Sequence, residues 1–252
     1  MISVIILTKN EELHIAGCIE SVCWADEVVV LDSESTDYTV KIAQKMGAKV
    51  FSRPFFNFAE QRNAAIDMVK SDWIFFVDAD ERVSAQLAAE ITAAINEQKY
   101  TGFWIPRHNY QMGKLILHCG LYPDHQLRLF RKGKGHYDPS QKVHEKVILD
   151  GASCYLKHPL IHISCETWQD FIDHQKRYAH LKSEMQFERG VKPTYHFVAG
   201  PVLEFLRRYI VLQGYRDGLH GLYLSCVFAY YYFIMFVNLR QLWKTRSRQT
   251  AA

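Results

Sequence analysis

No two of the six cysteines in this 252-residue chain, Cys18, Cys23, Cys119, Cys154, Cys165 and Cys226, form a Cys-x-x-Cys pair, and most stand in apolar surroundings. That argues against zinc sites and a disulfide framework, and for reduced thiols in a reducing compartment. There is no Gly-x-Gly-x-x-Gly after the first apolar run and no Gly-Lys-Ser/Thr loop, so dinucleotide and P-loop nucleotide binding both lack their phosphate cradle. Internal repeats and low-complexity stretches are missing, and no basic segment precedes the strand-like Ile2 to Leu7, so no secretory signal is expected. A net charge of only +3 gives no general affinity for nucleic acid, which is not expected as a partner. The charge is uneven: from Pro201 onward seven Lys/Arg face two Asp/Glu, which leaves the first two hundred residues slightly acidic.

What is present is globular, with 48% hydrophobic residues, enough for a substantial core. Strand-like runs at Val4 to Leu7, Val28 to Leu31, Lys49 to Phe51 and Trp73 to Val77 alternate with helical patterns at Leu13 to Val22, Thr39 to Met46 and Glu60 to Val69. This βαβ series predicts a mostly parallel sheet with helices on both faces. A further helix is expected over about Ser84 to Asn96, with Ser84 as its N-cap. Between Gly102 and Leu160 the pattern shifts to short runs broken by Gly and Pro, such as Lys114 to Leu117, Gln126 to Phe130 and Val143 to Leu149. Those predict a mixed or antiparallel half. A charged helix follows from Thr167 to Gly190, and the remainder reads as helical and increasingly apolar.

The most informative stretch is Trp73-Ile74-Phe75-Phe76-Val77-Asp78-Ala79-Asp80-Glu81, a buried-strand pattern that ends on three carboxylates. Open α/β sheets bind ligands just outside the carboxyl ends of their strands, and Mg²⁺ or Mn²⁺ held by one or two carboxylates completes its shell with phosphate oxygens. Two other early strands end in polar clusters, Thr8-Lys9-Asn10-Glu11 and Asp32-Ser33-Glu34-Ser35-Thr36-Asp37. Parallel strands bring all three to one edge. Asp32 suits hydrogen bonds from a ribose or base, whereas Asp37 reads better as a helix cap. Arg62, in a predicted helix, faces either the cleft or solvent, with solvent the default. Glu81 is expected to favour the N-terminus of the next helix through its dipole.

The segments Ile5 to Glu11, Val30 to Asp37, Gln61-Arg62-Asn63 and Asp78 to Glu81, in that order, resemble the GT-A-fold glycosyltransferases of family 2, most nearly the bacterial branch with lipopolysaccharide-core β-glucosyltransferases. The resemblance implies an α/β fold in which a Rossmann-like mixed sheet is sandwiched by helices. The expected layout is a catalytic domain over 1–165, with a nucleotide-sugar half at 1–100 and an acceptor half at 101–165, followed by a helical, membrane-associating region at 166–252. It further implies that Thr8, Asn10, Glu11, Asp32, Arg62 and Asp78 bind the donor, a UDP-hexose such as UDP-glucose. Asp80, with Asp78 and His162, would hold Mg²⁺ or Mn²⁺. Glu145, in Val143-His144-Glu145, stands where this branch has its catalytic acidic motif and would serve as the base of an inverting transfer; His162 reads equally as a hydrogen-bonded strand histidine. Tyr122, Asp124, Arg128 and His144 are the acceptor-side candidates, Arg128 equally a structural ion-pair residue. The implied acceptor is a hydroxyl of a glycolipid or polysaccharide.

Residues 219–239 contain no Asp, Glu, Lys or Arg, long enough for a membrane span. The basic residues that follow and the scattered aromatics favour a helix lying at the inner membrane surface, together with the Phe205 to Tyr209 region; packing on protein is the alternative. The expectation is a cytoplasmic protein peripheral to the inner face of the plasma membrane, with homo-oligomers possible. Two rivals remain: a membrane-associated carbohydrate-binding or scaffold protein with a decayed site, and a phosphatase with Asp78 as nucleophile, disfavoured because its motif belongs at the first strand.

Overall fold

The computed structural model describes residues 1–139, 146–165, 167–194 and 196–249. The first strands and helices are β1 (Ile2–Thr8), α1 (Ile15–Ser21), β2 (Glu27–Asp32), α2 (Thr39–Lys45), β3 (Lys49–Ser52), α3 (Phe58–Met68) and β4 (Trp73–Asp78). These sit where the apolar periodicity puts them. Next come β5 (Glu81–Val83), α4 (Ala85–Ala94), β6 (Gly102–Gln111), β7 (Lys114–Ile116), β8 (Asp124–Arg131), β9 (Gly135–Tyr137), β10 (Val147–Leu149), β11 (Ser153–Tyr155) and β12 (Leu160–Cys165). The chain finishes with α5 (Trp168–Glu188), α6 (His196–Leu206), a π-helical turn Arg207–Val211, a 3-10 turn Gly214–Asp217 and α7 (Leu219–Gln249).

Contacts within the chain define two compact units, one of Met1–His108 with Asp124–His162, the other of Asn109–Pro123 with Ile163–Ala252. This differs from the expected division at 165: the segment Asn109–Pro123, including Tyr122, groups with the C-terminal helices. Short-range patterning cannot show this, because the grouping depends on which distant residues the segment meets.

In the first unit the strand order β3-β2-β1-β4-β8-β6 is parallel from β3 to β4 and antiparallel beyond. Side chains alternate along each strand, so successive residues serve opposite faces. Val4, Ile6, Phe75 and Val77 pack with Ile15, Cys18 and Ile19 of α1 and Leu87 and Ile91 of α4. Ile5, Ile74 and Phe76 point the other way, to Ala65 and Ile66 of α3 and to Phe130 and Tyr137. Phe75 and Phe76 are both fully buried, and each contributes roughly 2 to 3 kcal/mol of transfer free energy. Ser84 caps α4 as expected, its hydroxyl accepting from Leu87 N at 3.2 Å. Asp37 acts from one residue before Tyr38, the N-cap of α2, accepting from Thr39 N and, at 3.1 Å, from Glu12 N. Cys18, Cys119 and Cys165 are buried.

The second unit is built on α5 and α7, joined by ring contacts Trp168 to Tyr223 (4.0 Å between centroids), Phe171 to Phe228 (5.8 Å) and Phe187 to Trp243 (5.1 Å). Ile116, Cys119, Phe171, Leu224 and Val227 form its buried core. Gly221 lies so close to the 3-10 turn that a β-carbon there would stand 1.8 Å from the Gly214 carbonyl oxygen. Asp217 is buried and accepts from His118 N at 3.0 Å and Leu117 N at 3.4 Å. It thereby fastens the 109–123 segment to the helices.

Candidate active site

The register of the parallel strands places Thr8 level with Asp32, Asp32 level with Ser52, and Leu7 level with Asp78. Four strands therefore deliver their polar ends to one edge of the first unit, as their shared direction requires.

Asp32 is buried at that edge. Its carboxylate accepts from Thr8 Oγ1 at 3.0 Å, from Ser35 N at 2.8 Å and from Ser35 Oγ at 2.5 Å. In this state the acid orders the loop after β2. Asn10 adopts a left-handed backbone, φ 57°, which asparagine tolerates better than most residues. Its side-chain oxygen accepts from Thr36 N at 2.8 Å while its own N–H donates to Ser35 Oγ at 2.8 Å. The loops after β1 and β2 are thus tied to each other. Glu11 carries the clearest electrostatic signature: burial first, then the charges of Asp80, Asp37 and Asp78, push its carboxyl up to about 7. Four carboxylates from three loops share one region, an arrangement that favours a cation.

Behind this edge lies an arginine network. Arg62 is buried, contrary to the surface position that is the default for an α3 arginine. Its guanidinium is 3.2 Å from Asp78 and lies 5.1 Å from the Phe76 ring centroid, the rings giving a cation a favourable face. The ladder of β4 with β8 runs from Trp73 with Arg131 to Phe75 with Leu129, so Arg128 follows directly. Both Arg128 terminal nitrogens donate to Asp78, one at 3.1 Å and the other in a shorter bond. Arg107 Nε donates to Asp124 at 2.8 Å, and its NH1 approaches Glu81 at 3.4 Å. Burial alone would raise Asp78, but Arg128 and then Arg62 hold its carboxyl well below the usual range.

Glu81 corrects the sequence-based expectation. It does not sit at the N-terminus of α4 but in the unexpected strand β5, fully buried, accepting from Asp78 N at 2.9 Å with Arg128 3.6 Å away. Burial pushes its carboxyl up, against the pull of Arg128. Its strand partner on β12 is His162, whose Nε2 lies 3.1 Å from Asp80 Oδ2. Asp80 and His162 therefore meet across 82 residues of sequence, each with part of its side chain open to solvent.

Among the described residues no cluster of three or more His, Cys, Asp or Glu forms a metal cage. The pair Asp80 and His162 is an incomplete donor set, which fits a hard cation that takes its other oxygens from a diphosphate and water. Arg82 escaped the sequence reading: it donates to the carbonyls of Ala79 and Glu81 and, at 2.9 Å, of His14, so it clamps the Asp78 to Glu81 turn to α1. Its place directly after the acidic triplet was the available signal. Arg107 stands in no motif and had none. Tyr122, 40% exposed, belongs to the other unit. Glu145 and His144 lie outside the described residues.

Residues 3–145 match the family described as Glycosyl transferase family 2. This chain belongs to that family. Consistent with membership, it is 31% identical over 250 residues, 95% of the chain and 92% of its counterpart, to the lipopolysaccharide core biosynthesis glycosyltransferase LpsC of Rhizobium meliloti. A glycosyltransferase of Rickettsia bellii is 30% identical over 266 residues, 96% of this chain and 86% of that one. Among solved structures, S. aureus TarS 1-349 superposes with a TM-score of 0.51, 17% identity and coverage of 97% of this chain and 91% of that one, a likeness of fold. The family 2 glycosyltransferase fold is thus the mixed α/β architecture anticipated from the strand and helix pattern.

Proposed function

We propose that this glycosyltransferase moves a hexose from a nucleoside diphosphate donor, UDP-glucose or a close analogue, to a hydroxyl of a glycolipid or polysaccharide of the lipopolysaccharide-core class, with inversion at the anomeric carbon. The observation that carries the reading is the meeting of Asp80 and His162 at 3.1 Å beside the carboxylates that raise Glu11. The acceptor class is supported by the likeness to LpsC.

Asp80 and His162 are the residues that would hold Mg²⁺ or Mn²⁺, which supplies Lewis-acid stabilisation of the charge gathering on the departing diphosphate. Asp78, already engaged by Arg62 and Arg128, serves better as the anchor of those guanidiniums than as a metal ligand. Thr8, Asn10 and Asp32 set the two loops that would enclose the nucleoside. Glu145, on the family resemblance, takes the proton of the acceptor hydroxyl as its oxygen bonds to the anomeric carbon and the bond to the diphosphate breaks. One displacement suffices, with no covalent sugar on the protein.

The test offers purified protein a panel of nucleotide sugars with Mn²⁺ and a core oligosaccharide, and measures the nucleoside diphosphate released and the product's anomeric configuration. One nucleotide sugar should be consumed, EDTA should stop it, and Glu145→Gln should abolish transfer while donor affinity stays. Full activity in EDTA, or wild-type turnover by Glu145→Gln, would overturn the reading.

A further inference from the structure

The second unit carries an apolar stripe that its own fold does not cover. On α6 and the π-helical turn that continues it, Glu204 and Arg208 point inward: both are largely buried, Arg208 Nε donates to Glu204 at 2.6 Å, and Arg208 NH1 donates to the Cys119 carbonyl at 2.6 Å. On the opposite side Val202, Leu203, Leu206, Ile210 and Val211 are exposed at 61, 62, 41, 57 and 71%. Leu203, Leu206 and Ile210 follow the three- and four-residue spacing of one helical face. An exposed run of this kind marks a surface that meets something apolar.

The charge beside it selects the occupant. Both acids between Pro201 and the C-terminus, Glu204 and Asp217, are buried and hydrogen-bonded within the unit. Arg207 is half exposed beside the stripe, and Arg216, Arg240, Lys244 and Arg246 are exposed further along. Among the described residues from Pro201 onward, every charged side chain that is exposed is therefore basic, Arg207 also lying 3.5 Å from Glu204. A second copy of the same face would bring like charges together, whereas an anionic bilayer offers hydrocarbon for the stripe and phosphates for the arginines.

The helix α7 is long and apolar enough to cross a membrane, yet it is a poorer candidate for the contact. Its rings interlock with α5, and α5 carries charged pairs such as Lys176 with Asp173 at 2.9 Å and His180 with Glu184 at 3.3 Å. Inserting α7 would drag those charges into hydrocarbon, where charged side chains are strongly disfavoured.

We infer that the α6 face, Val202, Leu203, Leu206, Ile210 and Val211 with Arg207, is an in-plane docking surface for an anionic lipid bilayer. Its use in reaching a lipid-borne acceptor rests on the proposed function; its existence does not. The test is flotation of the full chain with vesicles of phosphatidylethanolamine and phosphatidylglycerol, against vesicles of phosphatidylcholine alone. Wild type should float with the anionic vesicles, less so as salt rises. Leu206→Glu with Ile210→Glu should weaken this by about tenfold or more, since it removes buried apolar area and adds repulsion. Phe233→Glu on α7 should leave it unchanged. Equal flotation of wild type and the double variant, or equal binding to both vesicle types, would overturn the inference. So would a wild type that does not float and elutes as an oligomer that the double variant dissolves, because the stripe would then be a protein interface. Circular dichroism and transfer to a water-soluble core oligosaccharide accompany each variant: transfer retained with flotation lost is expected, and absence of transfer in wild type counts against the proposed reaction alone.

Discussion

Arg128→Met is the substitution that tests the arginine network most directly. Arg128 is 7% exposed and donates through two nitrogens to Asp78, with Glu81 3.6 Å away. Methionine keeps the unbranched stem and removes the charge. Two hydrogen bonds to a carboxylate at about 1.5 to 3 kcal/mol each give about 3 to 6 kcal/mol, and breaking a buried pair typically costs about 3 to 5 kcal/mol because the stranded charge stays buried. Asp78 retains Arg62 at 3.2 Å and Glu81 retains Arg107 at 3.4 Å, which sets the expectation at the lower end, about 3 kcal/mol. With a urea slope of about 2 to 3 kcal/mol/M, the unfolding midpoint should fall by roughly 1 M or more. The pH dependence has a definite sign. Asp78 is held below its ordinary value by Arg128, so its share of stability is present above that value and is lost as pH falls through the folded one. The gap between wild type and variant should therefore narrow in acid. In a cycle with Asp78→Asn the double variant should be more stable than the sum of single losses predicts, by about 2 kcal/mol. A variant within about 1 kcal/mol of wild type at neutral pH, or strict additivity, would refute the view that these residues act as one unit.

Two further outcomes are expected. Because burial and neighbouring carboxylates raise Glu11 to about 7, its ionisation opposes folding: the penalty is absent below the ordinary carboxylate value and complete above about pH 7. Glu11→Gln should then stabilise the metal-free protein by about 1 kcal/mol at alkaline pH after allowance for solvent screening, and not in mild acid; denaturation in EDTA at both pH values checks this, and a variant less stable than wild type in alkali would contradict it. Gly221→Ala forces a methyl to within 1.8 Å of the Gly214 oxygen, so overpacking of about 3 kcal/mol or more should lower the melting temperature by several degrees, and an unchanged melt would show that the 3-10 turn yields freely.

The residues that sequence alone made legible are those whose role follows from neighbours along the chain. Val4 to Leu7 and Trp73 to Val77 read as strands because apolar, β-branched and aromatic residues run together, and the shared direction of parallel strands carried Thr8, Asp32 and Asp78 to one edge. Ser84 as a cap needs only the hydroxyl and the turn that follows. What the tertiary structure decided is the identity of each partner. Asp78 and Asp80 are two residues apart and of one chemical kind, yet the first turns to Arg62 and Arg128 and the second to His162. Glu81 enters a buried strand because β12 comes back to pair with it from 81 residues away, His162 lying opposite. Arg62, ordinary by helical position, is buried because Phe76, Tyr137 and Asp78 converge on it. Local pattern fixes how a segment folds and which end is polar; which charge meets which is set by long-range pairing, since ion pairs depend on distance in space and carry no periodicity along the chain.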